Sequence, residues 1–125
     1  MNHIASPDTS DPGIERQILA KGLTTPRVTP KTLENNIVHA EYFTAAQGAS
    51  GAGAIYQDYM TSLSLLTFCV LVLKNGFTVT GESACASPEN FNAEIGKQIA
   101  FENAKQKIWP LMGYALKQEL YDAAI

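Results

Sequence analysis

The chain has 125 residues, of which 46% are hydrophobic and 17% are charged, and its formal net charge is -3 at pH 7. This length predicts one domain with its own core, and the acidic balance argues against a general nucleic-acid binder, which carries a basic surface. Because no apolar run reaches the ~20 residues that span a bilayer and no signal-peptide pattern opens the chain, we expect a cytoplasmic protein without nucleic-acid or membrane partners.

Residues 1–27 predict a flexible N-terminal tail. Proline and glycine interrupt a stretch rich in serine, threonine and aspartate, and such a composition rarely buries enough apolar surface to fold. A short helical turn within residues 14–23 is the one element that this stretch suggests. Residues 28–125 are then predicted to form a single α+β domain.

A first helix is predicted at Thr29, because threonine is a good N-cap and Pro30 suits the first helical position. Apolar residues recur at roughly helical spacing as far as Ala45, so we expect the helix to continue to that point. The following Gly-Ala segment lacks the Gly-Lys-Ser/Thr ending of a phosphate-binding loop. We interpret it as a flexible connection.

Residues 66–74 and 77–84 predict a β-hairpin around Asn75-Gly76, a pair typical of two-residue turns. In that register Glu82 lies opposite Cys69. The first strand is apolar on both faces, which is typical of a strand covered on two sides. Since two strands alone are barely stable, we expect a second copy of the chain to extend or pack the sheet.

Two C-terminal helices are predicted after the hairpin. The first has Ser87-Pro88 as its cap and first position, and Pro110 ends or kinks it. The second covers residues 111–123, so the fold class is α+β with an N-terminal helix, a central antiparallel hairpin and two C-terminal helices. The residues that the last helix is expected to bury are Leu111, Tyr114, Ala115 and Leu120.

The sequence offers little material for catalysis. It contains two isolated histidines, no Cys-x-x-Cys and no Gly-x-Ser-x-Gly, so zinc chemistry and a serine triad lack their residues. Ser83 follows Glu82, but a serine without a positioned base is not a nucleophile. Cys69 and Cys85 predict small buried side chains without a disulfide. We expect no enzyme activity, no metal and no cofactor.

Side chains suited to a nucleotide run from the second strand into the first C-terminal helix. Asparagines near a helix start lie beside free backbone N–H groups, lysines neutralise phosphates, and aromatic rings stack on bases. Plainer readings remain open, namely a solvated helix face for the lysines and ordinary strand formers for the threonines. The predicted ligand-binding residues are Phe77, Thr78, Thr80, Glu82, Ser83, Asn90, Asn92, Lys97, Phe101 and Lys105.

Three segments of the chain, FTVTGESAC, ENFN and NAKQKIWPL, form a specific pattern, and VTPKTLENNIVHAEYFTA extends it more weakly upstream. Together they resemble a family of small tailed-phage proteins. That family is named after gene forty-nine of one coliphage and gene sixty-six of a Shigella phage, and it has no assigned function. The resemblance implies a phage protein that acts in the host cytoplasm.

The layout of a short antiparallel sheet followed by two helices is also similar to the first type of Thoeris anti-defence sponge. Those phage proteins form dimers or larger assemblies and trap cyclic ADP-ribose-type or cyclic oligonucleotide signals without cleaving them. The resemblance implies a homo-oligomeric, non-catalytic sponge that sequesters a cyclic nucleotide immune signal. Phe77 would stack on adenine, while Asn90 and Asn92 would contact polar edges. Lys97 and Lys105 would neutralise phosphates.

A second class of function stays open at this point. The alternative is a protein–protein interaction module, or an inhibitor of a host protein, with no small-molecule ligand. Cations that converge in one concave site favour the sponge, whereas an exposed flat apolar patch favours the interaction module.

Overall fold

A computed structural model describes residues 10–23, 25–54 and 58–125 and confirms the predicted α+β class. The predicted tail falls partly on residues 1–9 and 24, which lie outside the described residues. No described helix combines the length and the apolar character needed to cross a bilayer. In chain order the elements are α1 (Asp11–Ala20), α2 (Pro30–Asn35), β1 (Ile37–Thr44), α3 (Ala45–Gly51), α4 (Met60–Ser64), β2 (Leu66–Leu73), β3 (Thr78–Ala84), a single 3-10 turn (Pro88–Asn90), α5 (Ala93–Gln106) and α6 (Ile108–Ala123).

The sheet has three antiparallel strands in the order β1-β2-β3. Thr29 caps α2 as predicted and forms a capping box with Thr32, but the helix ends at Asn35. The prediction of a continuous helix to Ala45 was therefore wrong. Its second part, IVHAEYFT, is rich in β-branched and aromatic residues. It pairs antiparallel with the free edge of β2, with an irregularity in the register between Ile37 and His39.

The hairpin joins β2 and β3 through a three-residue loop. The Leu73 amide donates to the Phe77 carbonyl at 2.8 Å, and Gly76 takes a left-handed backbone with φ of 88°. The Asn75 side chain accepts from the Phe77 amide at 2.9 Å. A glycine in this conformation at the end of a three-residue loop forms a bulge at the base of the hairpin.

The longer loop corrects the predicted register by one residue. Cys69 pairs with Gly81, and Glu82 pairs with Phe68, whereas the two-residue turn places Glu82 opposite Cys69. Because side chains alternate between the two faces of a strand, a shift of one residue moves every β3 side chain to the other face. Gly81 therefore lies against α5, and Glu82 lies on the open face of the sheet.

Helix α5 packs over β2 and β3 at very short range. A β-carbon at Gly81 would lie 2.2 Å from the Ala100 carbonyl oxygen and 2.2 Å from the Ala104 amide nitrogen, so only glycine permits this approach. The core residues below about one tenth exposure are Leu33, Cys69, Leu71, Leu73, Val79, Ala100, Ala104 and Ile108. Because α5 is centred over the β2–β3 side, the same face of β1 is only partly covered.

Both C-terminal helices begin at positions that differ from the predictions. Ser87-Pro88 starts only the 3-10 turn, and Asn92 caps α5 by accepting a hydrogen bond from the Ile95 amide at 3.0 Å. Helix α6 begins at Ile108, so Pro110 lies in its first turn. A proline there costs no intrahelical hydrogen bond, because the first N–H groups of a helix have no partner within it.

Helix α1 contacts the junction between α5 and α6. The Trp109 indole donates to the Asp11 carboxylate at 3.3 Å. The buried Lys105 ammonium lies 3.8 Å from the same carboxylate and 3.4 Å from that of Glu34 in α2. These contacts fix the start of α1 on the domain, while the boundary of the tail at residue 27 stays a prediction.

The prediction that α6 buries its apolar residues was wrong for three of them. Leu111, Tyr114 and Leu120 were expected in the core, but they are 40%, 75% and 43% exposed. The helix contacts the core through Ile108, which is fully buried, and through the partly buried Met112. Its apolar residues therefore divide between two faces, of which only one packs on the domain.

Candidate functional site

An open groove lies where α5 leaves β1 uncovered. Its volume is about 520 Å³, within the range of roughly 300–1,000 Å³ that is common for small-molecule sites. Its walls come from β1 on one side and from successive turns of α5 on the other. The lining residues are Tyr42, Glu94, Lys97, Gln98, Phe101 and Glu102.

A second hollow of about 290 Å³ adjoins the first and shares Tyr42 and Lys97 with it. It continues along the end of β1 towards the start of α5. Its remaining lining residues are Phe43, Thr44, Gln47, Thr67, Phe91 and Ala93. Together the two hollows are called the Lys97 groove below, because Lys97 stands at their junction.

The electrostatics of the Lys97 groove centre on one ammonium group. Lys97 Nζ lies 5.9 Å from the centroid of the Tyr42 ring, near the outer limit for a cation–π interaction, and 3.7 Å from Glu94 Oε1. The Lys97–Glu94 pair is largely exposed, and such pairs contribute little to stability. A bound anion can therefore replace Glu94 as the partner of Lys97 at small cost.

The inner wall of the groove is neutral at physiological pH. Burial raises the pKa of Tyr42, and the neighbouring Cys69 raises it further. Burial also raises the pKa of the Cys69 thiol. A buried thiol with a raised pKa is a weak nucleophile at neutral pH, because little of it is thiolate. Tyr42 therefore contributes an uncharged ring to the groove.

The predicted residues Lys97 and Phe101 meet in the Lys97 groove, since they are one helical turn apart on α5. Ser83, Asn90 and Asn92 meet in a separate cavity of about 140 Å³ between the end of β3 and the start of α5. This cavity shares Thr67 and Phe91 with the second hollow, so the two sites are neighbours. The Asn92 side chain also serves as the N-cap of α5.

The structure places the other predicted residues elsewhere. Thr78, Thr80 and Glu82 are exposed on the sheet face opposite α5, and Phe77 is 56% exposed at the end of the hairpin loop. Lys105 is buried at the far end of α5 and is held by two carboxylates. One protomer therefore does not bring the whole predicted set to one site.

Tyr42, Phe91 and Gln98 line the site but are missing from the predicted set. Tyr42 was not placed beside Lys97, because its segment was interpreted as helix. The available signal was the β-branched and aromatic character of IVHAEYFT. Gln98 carried no signal of its own.

The structure is that of a small α+β protein with a hollow that is lined by aromatic rings and contains one lysine. Over the residues that the structure describes, no group of three or more His, Cys, Asp or Glu side chains could hold a metal ion.

The chain belongs to the phage protein (N4 Gp49/phage Sf6 gene 66) family, whose model matches residues 28–120. This match confirms the predicted family, and it includes all three strands, α5 and therefore the Lys97 groove. No curated protein and no solved structure matches the chain.

Proposed function

We propose that this phage protein is a non-catalytic sponge that binds a cyclic nucleotide signal in the Lys97 groove and withholds it from a host defence. The signal is of the cyclic ADP-ribose type or a cyclic oligonucleotide. The observation that carries the proposal is an ammonium group beside the Tyr42 ring, in a hollow of ligand size that Phe101 also lines. Membership of a phage family supports a role in the infected cell.

The chemistry of the groove suits the parts of a nucleotide. Stacking of a base on an aromatic side chain is worth about 1–3 kcal/mol, and Tyr42 and Phe101 offer rings for it. A phosphate that replaces Glu94 at Lys97 forms a charge-assisted hydrogen bond, worth about 1.5–3 kcal/mol. The Gln98 amide both donates and accepts, so it suits the polar edge of a base.

The charges of the groove bear on how many phosphates one protomer can hold. Lys97 is accompanied by Glu94 and Glu102, and these carboxylates leave the lining negative overall. One phosphate finds its partner at Lys97, whereas a second phosphate needs solvent or a cation from another copy. The proposal therefore includes a homodimer or a larger oligomer for ligands with two phosphates.

The side chains beside the groove support binding without turnover. Cys69 is buried with a raised pKa, and Lys97 is held by an acid rather than by a group that it could activate. A ligand in this position meets stacking and charge partners but no paired nucleophile and base. We infer sequestration as the activity.

The test measures retention of nucleotides. The protein is isolated from cells with an active cyclic-nucleotide defence, washed and denatured, and released nucleotides are identified by mass spectrometry. Calorimetry with cyclic ADP-ribose and with a cyclic dinucleotide then gives affinities. Lys97→Glu should weaken binding at least roughly tenfold, which corresponds to about 1.4 kcal/mol, while Lys31→Glu, the same charge change on exposed α2, should not.

Three results would contradict the sponge. The first is that no nucleotide is released and neither probe gives heat. The second is equal affinity of the Lys97→Glu protein and the parent. The third is recovery of a probe in cleaved form, because that would show turnover.

The alternative function is a protein–protein interaction module that inhibits a host protein. The exposed apolar side chains of α6 favour it, Tyr114 above all at 75% exposure. A host protein that co-purifies in fixed ratio, without any released nucleotide, would support this alternative over the sponge.

A further inference from the structure

Helix α1 turns one face towards the domain and meets it over a hollow. The members of that face recur at helical spacing, and two of them are carboxylates. The hollow has a volume of about 320 Å³. On the helix it is lined by Asp11, Ile14, Glu15 and Ile18. The surface beneath the helix is called the α1 docking surface below, and it consists of Arg27, Val28, Pro30, Lys105, Gln106 and Trp109.

Ion pairs hold α1 on this surface. Glu15 Oε1 lies 2.6 Å from Arg27 Nη1, and both side chains are 22% exposed. One turn earlier, Asp11 accepts from the Trp109 indole at 3.3 Å and lies 3.8 Å from Lys105 Nζ. Each carboxylate of this face therefore lies beside a cation of the α1 docking surface.

Apolar packing contributes little to the same contact. Gly13 is the one buried residue of α1, and Ile14 is 40% exposed although it lines the hollow. Well-packed protein interiors contain few voids larger than a water molecule, and this hollow is far larger. Helix α1 therefore covers the docking surface without filling it.

The docking surface does not need α1 to complete it. Lys105 also lies 3.4 Å from Glu34 of α2, so its buried ammonium keeps one partner when α1 leaves, and a buried charge that lost every partner would be costly. The family match starts at residue 28. It includes the whole docking surface apart from Arg27, whereas α1 lies before it. The surface and the helix on it are thus separable parts of the chain.

We propose that α1 is an exchangeable occupant, and that an acidic amphipathic helix of a partner protein takes its place. Such a helix presents two carboxylates one turn apart to Arg27 and Lys105, and its apolar side chains fill the hollow beside Trp109. Helices commonly dock through residues at i, i+3, i+4 and i+7, which is the spacing of the α1 face. Tryptophan and arginine are also enriched among the residues that dominate protein–protein binding.

The charges favour an acidic partner in particular. Arg27 and Lys105 leave the emptied surface positive even with Glu34 beside it, on a chain whose net charge is -3. The surface lies at the far end of α5, roughly 12 Å along the helix axis from Lys97. The inference is therefore independent of the proposed sponge. In the free protein α1 acts as an internal competitor that keeps the surface covered.

The first test uncovers the surface in the full-length protein. Asp11→Asn with Glu15→Gln removes both charges but keeps the shape of the side chains, so α1 should leave and the fluorescence emission of Trp109 should move to longer wavelength. Glu41→Gln with Asp122→Asn is the matched control, because it removes two exposed carboxylates elsewhere, and its emission should equal that of the parent. The parent in about 1 M sodium chloride, where ion pairs are screened, should show the shift without any substitution.

The second test supplies the helix in trans. The probe is a fluorescein-labelled peptide of residues 10–23, and its binding is followed by fluorescence anisotropy. The Asp11→Asn, Glu15→Gln protein should bind it at least roughly fivefold more tightly than the parent does, because the tethered α1 of the parent competes at high effective concentration. Circular dichroism checks that the variant is folded.

Variants of the peptide test the chemistry of the partner. A peptide with Asp11→Lys and Glu15→Lys should not bind, because both carboxylates are replaced by cations. A peptide with Ile14→Phe should bind more tightly than the probe, because the larger side chain buries more apolar area in the hollow. An alanine-based helix of otherwise unrelated sequence, with the same four residues on one face, should bind as well.

Three results would overturn the proposal. If the emission of Trp109 is unchanged in the double variant and in salt, the two carboxylates do not hold α1 on the surface. If the emission shifts but the probe does not bind, no other helix replaces α1. Equal binding of the acidic and the lysine peptides would exclude an acidic partner. Each result is read from peptide binding or from Trp109, and nucleotide affinity tests the sponge separately.

Discussion

Replacing Gly81 with alanine tests the packing that leaves the groove open. Gly81 lies on β3 beneath α5, and an added β-carbon would lie 2.2 Å from both the Ala100 carbonyl oxygen and the Ala104 amide nitrogen. Ordinary contacts between such atoms are longer by more than 1 Å. Both atoms belong to the backbone of a helix and cannot rotate aside. Helix α5 must therefore move outward as a body.

The cost of that movement sets the expected loss of stability. An extra methyl group in a packed core costs about 1–3 kcal/mol. Moving α5 also loosens Ala100 and Ala104, which are fully buried, so we expect a loss of about 3 kcal/mol. This is a large part of the total stability of a domain, which is roughly 5–15 kcal/mol.

Urea unfolding followed by circular dichroism measures the change, and Gly113→Ala is the matched control. A β-carbon at Gly113 meets nothing within 4 Å on exposed α6, so this change should stabilise the protein by up to about 1 kcal/mol through helix propensity. The same chemical change thus has opposite signs at two positions. Gly81→Ala within about 0.5 kcal/mol of the parent would refute direct contact between α5 and β3.

Two further outcomes are expected. In the Asp11→Ala variant the Trp109 indole loses its hydrogen-bond acceptor. The fluorescence emission of Trp109, the one tryptophan of the chain, should therefore shift to longer wavelength, and the free energy of unfolding should fall by about 1 kcal/mol. Unchanged emission would show that α1 does not dock. Stability should also fall in alkali, because Tyr42 and Cys69 have raised pKa values in the folded state. The folded protein then binds more protons than the unfolded chain, so this stability is complete below about pH 8.5 and is lost as pH rises through the folded pKa values. Urea unfolding from pH 7 to pH 11 measures it, and a flat profile would contradict the raised values.

Local signals in the sequence sufficed for several elements of the fold. The Thr29 cap, the hairpin and the helix after it depend on neighbouring residues, and each appears in the structure. The segment 37–44 fits helical spacing roughly and strand composition well, and local pattern does not decide between them. Pairing with β2 makes this segment a strand, because β2 lies at the centre of the sheet and needs a partner on each edge. The residues of β2 that pair with it are distant in sequence, so a local pattern does not reveal them.

The hairpin register shows how packing overrides a strong turn signal. A two-residue turn at Asn75-Gly76 would place Glu82 opposite Cys69, directly beneath α5. A carboxylate in that position would be buried without a partner, which costs several kcal/mol. The three-residue loop places Gly81 there instead, and α5 can then approach the sheet. The turn pair alone carries no information about this helix.

The candidate site follows from the same packing. Lys97, Phe101 and Lys105 lie at successive turns of α5, but their surroundings differ. At the Lys105 end, α1 and α2 supply Asp11 and Glu34, and the ammonium is buried in ion pairs. At the Lys97 end, α5 faces the uncovered side of β1.

Lys105 is buried in ion pairs, whereas Lys97 lines the groove. This difference explains why the groove of one protomer offers a single lysine. Helix α5 is drawn towards β3 by Gly81, Ala100 and Ala104, so the β1 side keeps room for a ligand beside Lys97. The α1–α2 side of the same helix is filled by the chain itself, which uses Lys105 to hold its own N-terminal elements. Under the proposed function, a ligand with two phosphates therefore needs a second cation from outside the protomer, and the oligomeric state becomes part of the test of that proposal.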